Sequence, residues 1–175
     1  MIALKIDTCG RLFQMTRREF EVTDQDAIRG ILDRSKVLRL GLIDEGLPYV
    51  VPMNYGYRLE DGKLTLYLHS AVKGYKLDVI AKNSVCCFEM DCDVSAFQGK
   101  LPCQYGITYH SLMGRGQVHL VEDIREKEQA MTLLMKTQTG KDFEFNERLV
   151  SIVSVLRIDV DTYTAKHRPR PGQEP

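Results

Sequence analysis

Apolar residues recur at every second position over several stretches of the chain. Leu38, Leu40 and Leu42 alternate with Arg39 and Gly41, the period of a strand with one buried face. Leu64, Leu66 and Leu68 alternate in the same way against Thr65, Tyr67 and His69. Between them, LPYVVPMNYGYRL predicts a strand containing Pro52. Proline cannot donate to a sheet ladder, so an edge or a bulge is expected there, where a ligand can approach backbone. Asp44-Glu45-Gly46 and Glu60-Asp61-Gly62 supply turns, and the short connections make these three strands a meander. SVCCFEMD, residues 84–91, predicts a fourth strand from its β-forming residues. Residues 92–105, with Gly99 and Pro102, read as irregular. A fifth strand is expected over about Thr108–Val121, with Gly114 and Gly116 permitting a bend. The sixth is VSIVSVLRIDVDTYTAKH, residues 150–167. Ile152, Ser154, Leu156, Ile158 and Val160 alternate there against Val153, Val155, Arg157 and Asp159. Apolar side chains on both faces over Ile152–Leu156 predict burial on both sides.

Three segments switch to the helical period. Ala27, Ile28, Ile31 and Leu32 share a face of a helix expected from Thr23 to Ser35, where Thr23 and Asp26 form a variant capping box. A short helix over Gly74–Lys82 carries Leu77, Ile80 and Ala81 on one face and stops at Asn83. A third helix is capped by Asp123, carries Ala130, Met131, Leu133, Leu134 and Met135, and ends at Gly140. The fold class is therefore mostly β with peripheral helices, a six-stranded barrel. One domain is expected over residues 15–168. Residues 1–14 read as an extension ahead of a natural start at Met15, and residues 169–175, rich in proline, as a disordered tail.

Composition narrows the function classes. Twenty-four basic and 24 acidic side chains give zero formal net charge, so no electrostatic footprint for nucleic acid exists. No apolar run reaches the roughly 18 residues of a membrane span, and the first residues lack a signal-peptide pattern. A cytoplasmic protein is the expectation. The five cysteines, Cys9, Cys86, Cys87, Cys92 and Cys103, are an odd number and read as reduced thiols. A zinc set drawn from the last four with His110 has no C-x-x-C pair, and adjacent strand cysteines point to opposite faces. No metal site is expected; buried thiols are the simpler reading.

Phosphate-loop, dinucleotide-fingerprint, zinc-protease and nucleophile-elbow motifs are absent. What remains is LHSAVKGYKLDVI, residues 68–80, a strand running through a small-residue loop into a helix with Lys73 and Lys76. Helix N-terminal N–H groups suit a phosphate. Ser70 adds a hydroxyl and Lys76 a point charge. A solvated basic helix face fits the same residues. His69 reads either as a hydrogen-bonding strand-end residue or as a catalytic one. Tyr49, Tyr55, Tyr57, Tyr105 and Tyr109 read as ordinary sheet residues or as a platform for a ring system.

Three blocks together resemble the nitroimidazole-resistance (Nim-type) branch of the pyridoxamine 5'-phosphate oxidase-like FMN-binding proteins. They are LGLIDEGLPYVVPMNYGY (40–57), YLHSAVKGYKLDVIAKNSVCCFEMD (67–91) and CQYGITYHSLMGRGQV (103–118). The resemblance implies a split β-barrel and a homodimer with FMN at the subunit interface. It implies cofactor contacts from Pro52, Met53 and Asn54 beside the isoalloxazine, from His69 and Ser70, from Lys76 at the phosphate, and from Tyr109 and Ser111. Tyr105 stands where the family often has tryptophan, a departure on the substrate side.

The activity implied is FMN-dependent reduction of small molecules such as nitroaromatics and 5-nitroimidazoles, with His69 as the catalytic residue. A non-catalytic flavin or cofactor carrier is the alternative. Pyridoxamine 5'-phosphate oxidation ranks below both, because HRPRP resembles a loose tail more than that branch's arginine-rich substrate region.

Overall fold

A computed structural model describes residues 15–172; the expected extension at 1–14 and residues 173–175 lie outside the described residues. Eight strands form one antiparallel sheet in the order β3-β2-β6-β7-β8-β5-β4, with the two-residue β1 (Glu21–Val22) pairing β8. The strands are β2 (Leu38–Asp44), β3 (Leu47–Met53), β4 (Tyr55–Glu60), β5 (Lys63–Ser70), β6 (Val85–Phe97), β7 (Gly106–Leu120) and β8 (Ser154–Arg168). The two ends of that path, β3 and β4, are consecutive in the chain and meet at Asn54. One run of chain thus leaves the β2 ladder and joins the β5 ladder, which curls the sheet into a split barrel. Counting β3 and β4 as one strand, and setting β1 aside, recovers the six expected.

The expected alternation fills the barrel. Leu38, Leu40, Leu42, Leu64, Leu66, Leu68, Phe88, Met90 and Leu112 are all nearly inaccessible and form one core. Tyr55 also points inward, and its hydroxyl donates to the backbone carbonyls of Leu32 (2.7 Å) and Ser35 (3.2 Å). Helix α1 (Gln25–Arg34) closes this core with Ile28, Ile31 and Leu32. Its N-cap is Asp24, which accepts from the Ala27 amide at 2.8 Å, and not the expected Thr23. Helix α2 (Tyr75–Lys82) follows β5, and helix α3 (Ile124–Thr139) has the expected ends, Asp123 and a left-handed Gly140.

Two expectations need correction. Residues 92–105 are not irregular throughout, because β6 continues to Phe97 across a register shift between Cys92 and Ser95. The bulge interrupts the period-two signal, so the strand is hidden from the sequence. At the other end, β8 begins at Ser154, not Val150. Glu147–Val150 form a turn of helix, α4, capped by Asn146, and Ile152 is 71% exposed. Ser154, Val155 and Leu156 are buried on both faces as expected. The outward one, Val155, packs with Tyr67, Val121, Val150 and the α3 residues Ala130 and Met131. The second apolar face of this strand is covered from within the chain and is no argument for a dimer.

Candidate flavin site

The sequence-predicted residues fall into two groups. The first gathers at the β3–β4 junction. Tyr55 pairs with Leu68, so Asn54, the residue before it, comes level with His69. Pro52 and Asn54 are exposed and Met53 is buried. Ser70 ends β5, is 8% exposed, and its hydroxyl donates to the Ala71 carbonyl at 2.9 Å. Helix α2 starts five residues later with Lys76 half-buried in its first turn. The N-terminus of α2 has no side-chain cap, whereas Asp24 caps α1 and Asp123 caps α3. The Leu77 amide donates to the Gly74 carbonyl at 2.8 Å, which leaves the N–H groups of Tyr75 and Lys76 for an anion. Tyr75 anchors this turn: its hydroxyl bonds Asp44, and its ring meets Tyr49 edge-on at 5.4 Å.

His69 sits in this group with an unusual feature. It is half-buried, and its Nδ1 is fully buried with no hydrogen-bond partner in the protein. Burial also lowers its pKa from the usual histidine value, so the imidazole is neutral at pH 7. A buried polar atom left unpaired costs free energy, so a site that supplies a partner is favoured.

Tyr109 and Ser111 form the second group, on β7. Ser111 pairs with Asp91 of β6 and Lys166 of β8, and Tyr109 with Arg168. The Lys166 ammonium lies 5.5 Å from the Tyr109 ring centre. Pro52 on β3 and Tyr109 and Ser111 on β7 lie on the outer face of the sheet, with β2 and β6 between those two strands. Pro52 pairs with Arg39, Arg39 with Glu89, and Glu89 with Met113, two residues from Ser111. Three strand spacings amount to roughly 14 Å. An ion cluster stands in the gap: Arg39 Nη1 reaches Asp91 (2.6 Å) and Glu89 (3.0 Å). Burial and the neighbouring Asp91 charge raise the Glu89 pKa against the pull of Arg39. This cluster was not predicted from sequence.

Nor was a second convergence, at the β6 bulge. Among the described residues Cys92, Asp93 and His110 bring one donor atom each within 4.8 Å of one another. The other described thiols are not part of it. Cys86 is buried, with its pKa pushed up to about 12 by desolvation, and Cys87 and Cys103 are exposed.

A curled antiparallel sheet whose two end strands are joined through Asn54 defines a split-barrel protein. The family profile described as pyridoxamine 5'-phosphate oxidase matches residues 24–167, and the chain belongs to that family. A candidate 5-nitroimidazole antibiotic resistance protein from Bacteroides thetaiotaomicron is 33% identical, with 84% of this chain and 86% of that chain covered and a TM-score of 0.70. The flavocytochrome Anf3 from Azotobacter vinelandii is 15% identical over 90% of this chain and 73% of its own, with a TM-score of 0.71. An FAD and heme binding protein from Mycobacterium smegmatis has the same identity and TM-score over 90% and 76%. The last two show the shared fold. No curated protein matches.

Proposed function

We propose that this chain is an FMN-binding oxidoreductase acting on small molecules, nitroaromatics such as 5-nitroimidazoles among them. The observation that carries the reading is the buried, unpartnered Nδ1 of His69, beside an uncapped helix N-terminus and the Pro52–Asn54 strand break. The residues present fit a flavin mononucleotide. Its phosphate meets the α2 amides, with Ser70 and Lys76 adding a hydroxyl and a charge. The Pro52, Met53 and Asn54 backbone borders the ring system, where the missing proline N–H leaves the strand edge open. Support for the reading also comes from family membership and from the 33% identical relative.

The functional unit is a homodimer with the cofactor at the interface. Within a chain the Arg39, Glu89 and Asp91 cluster stands between Pro52 and Ser111, and Ser70 pairs with Ser154 at one end of β8 whereas Ser111 pairs with Lys166 at the other. One cofactor that touches both sets takes Ser70 and Lys76 from one chain, and Tyr109 and Ser111 from a second copy.

FMN, when bound, supplies the electron transfer. The chain's own residues bind, orient and exclude water. His69 is neutral at pH 7 and offers an N–H donor rather than a full acid, so it orients an acceptor oxygen near the reactive edge.

Lys76→Ala is expected to weaken FMN at least about tenfold, read by fluorescence titration. Unchanged affinity removes Lys76 from the phosphate site. Flavin-loaded His69→Gln is expected to keep FMN and lose about 10²-fold in turnover of a nitroaromatic. Full activity across several acceptors ends the catalytic assignment of His69. A purified protein without flavin colour, and with no affinity for added FMN, overturns the whole reading.

A further inference from the structure

The antiparallel pairing of β6 and β7 sets Cys92 directly opposite His110. Directly opposed side chains share one face, with Cβ atoms roughly 5 Å apart. The next residue, Asp93, ought to point to the other face. It does not, because the register shift falls here and Asp93 adopts a left-handed backbone, φ 55°. The bulge swings its carboxylate back over the pair. Asp93 Oδ2 lies 3.0 Å from His110 Nδ1 and 3.5 Å from Cys92 Sγ. A thiol, an imidazole and a carboxylate from two strands thus converge on one point.

The surroundings are incompletely satisfied. His110 Nδ1 is buried, and despite its proximity to Asp93 it has no partner in hydrogen-bond geometry. Ser35 Oγ, at the end of α1, is also buried without a partner. Unpaired buried polar atoms of this kind call for a partner. The opposite side of His110 is braced: its ring stacks on His167 at 4.1 Å with 6° between planes. That stack fixes the ring orientation, which is what supporting residues around a metal ligand do.

We propose that Cys92, Asp93 and His110 form a binding site for a zinc-like divalent transition metal. Thiolate, imidazole and carboxylate are the ligand types such an ion takes, and three protein ligands leave a fourth position for water. Binding replaces the Cys92 S–H bond with a metal–sulfur bond and releases that proton to solvent. Arg34 is the competitor. Its Nε donates to Asp93 Oδ2 at 2.9 Å, but its side chain is 47% exposed and has room to withdraw. The site is separate from the flavin residues: Tyr109 and Ser111 flank His110 in β7 and therefore point to the opposite face.

The pairing is hidden in the sequence because Cys92 and His110 are 18 positions apart, and only strand register makes them neighbours.

The test uses the full-length, flavin-loaded protein, stripped with a chelator and titrated with Co²⁺ and then Zn²⁺. One equivalent of Co²⁺ per chain should give a thiolate-to-cobalt charge-transfer band that Zn²⁺ abolishes. Cys92→Ser should lose the band, and His110→Gln should weaken Zn²⁺ by at least about a hundredfold. A Cys87→Ser, Cys103→Ser double variant should keep both, which separates the site from the exposed thiols. Circular dichroism identifies any variant that fails to fold, and if His110→Gln does so, Asp93→Asn supplies the same comparison of Zn²⁺ affinity, while Cys92→Ala replaces an unfolded Cys92→Ser in the test of the band. No band in the wild type, or a band that persists in folded Cys92→Ser, overturns the proposal.

Discussion

On the β4–β5–β8 side of the barrel the outer face of the sheet is covered, and on the β3–β2–β6–β7 side it is bare. Tyr67 and Val155 on the first side are 5% and 0% exposed beneath Ala130 and Met131 of α3. Val50, Val85 and Met113 on the second side are 61%, 47% and 48% exposed, with Cys87 among them. Both faces arise from the same strand alternation, so alternation alone does not tell which apolar row a helix will cover. The deciding feature on the covered side is small. Gly56 has no side chain, and a Cβ there would lie 2.3 Å from the Leu134 amide nitrogen. The helix backbone lies directly on β4 because that strand offers no bulk. Among the described residues the bare side has no equivalent helix. Its rows of valine and methionine, interrupted by the Arg39–Glu89–Asp91 cluster, fit a second copy of the chain, as the proposed interfacial cofactor requires.

The sharpest break of this contrast is at Gly56. Gly56→Val should force α3 off the sheet and cost about 3 kcal/mol or more, as severe overpacking does, measured by urea unfolding. A wild-type midpoint would mean that α3 does not need this approach. Val155→Ala is milder. Losing two buried carbon groups beneath α3 should cost about 2 kcal/mol. On the bare face, Val50→Asp combined with Met113→Asp should change the fold of the single chain little, since exposed substitutions are usually within about 0.5 kcal/mol. The same pair should convert a dimer to monomer in sedimentation and lower FMN affinity with it. A dimer that survives both charges uses some other surface.

Much of this architecture is legible before any coordinates. The leucine alternation of β2 and β5, the end residues Asp123 and Gly140 of α3, and the loop from His69 to α2 all follow from local physical chemistry. The misreadings have a common cause. At Val150–Val153 a run of apolar residues satisfies the strand period, yet Asn146 accepts from the Leu149 amide at 3.1 Å and makes a helical turn instead. At Cys92 the bulge removes the period from a strand that continues. In both places a single local hydrogen-bonding or register choice outweighs the pattern. The candidate site divides along the same line. The His69–Lys76 segment is contiguous and visible, whereas the Arg39 cluster and the Cys92–Asp93–His110 group exist only once register is known.

The smallest expected effect is a pH dependence shared by the two ends of the barrel. Burial lowers the pKa of His69, and burial followed by the neighbouring His167 lowers that of His110. In the unfolded chain both return to about 6.5. As pH falls through that value the unfolded state takes up protons that the folded state still refuses, so stability falls with acidification. The loss begins near pH 6.5 and stops growing once pH has dropped below the folded-state values. Urea midpoints measured at pH 7.5 and 5.5 should therefore move down on acidification in the flavin-free, metal-free protein. His69→Gln and His110→Gln should each remove part of that shift, because glutamine takes up no proton in either state. A variant that retains the full shift shows that its histidine titrates alike in folded and unfolded chains, which would mean that its ring is not buried as described. Bound FMN should enlarge the His69 part if it is the partner of Nδ1 and favours the neutral ring, and should leave the His110 part unchanged.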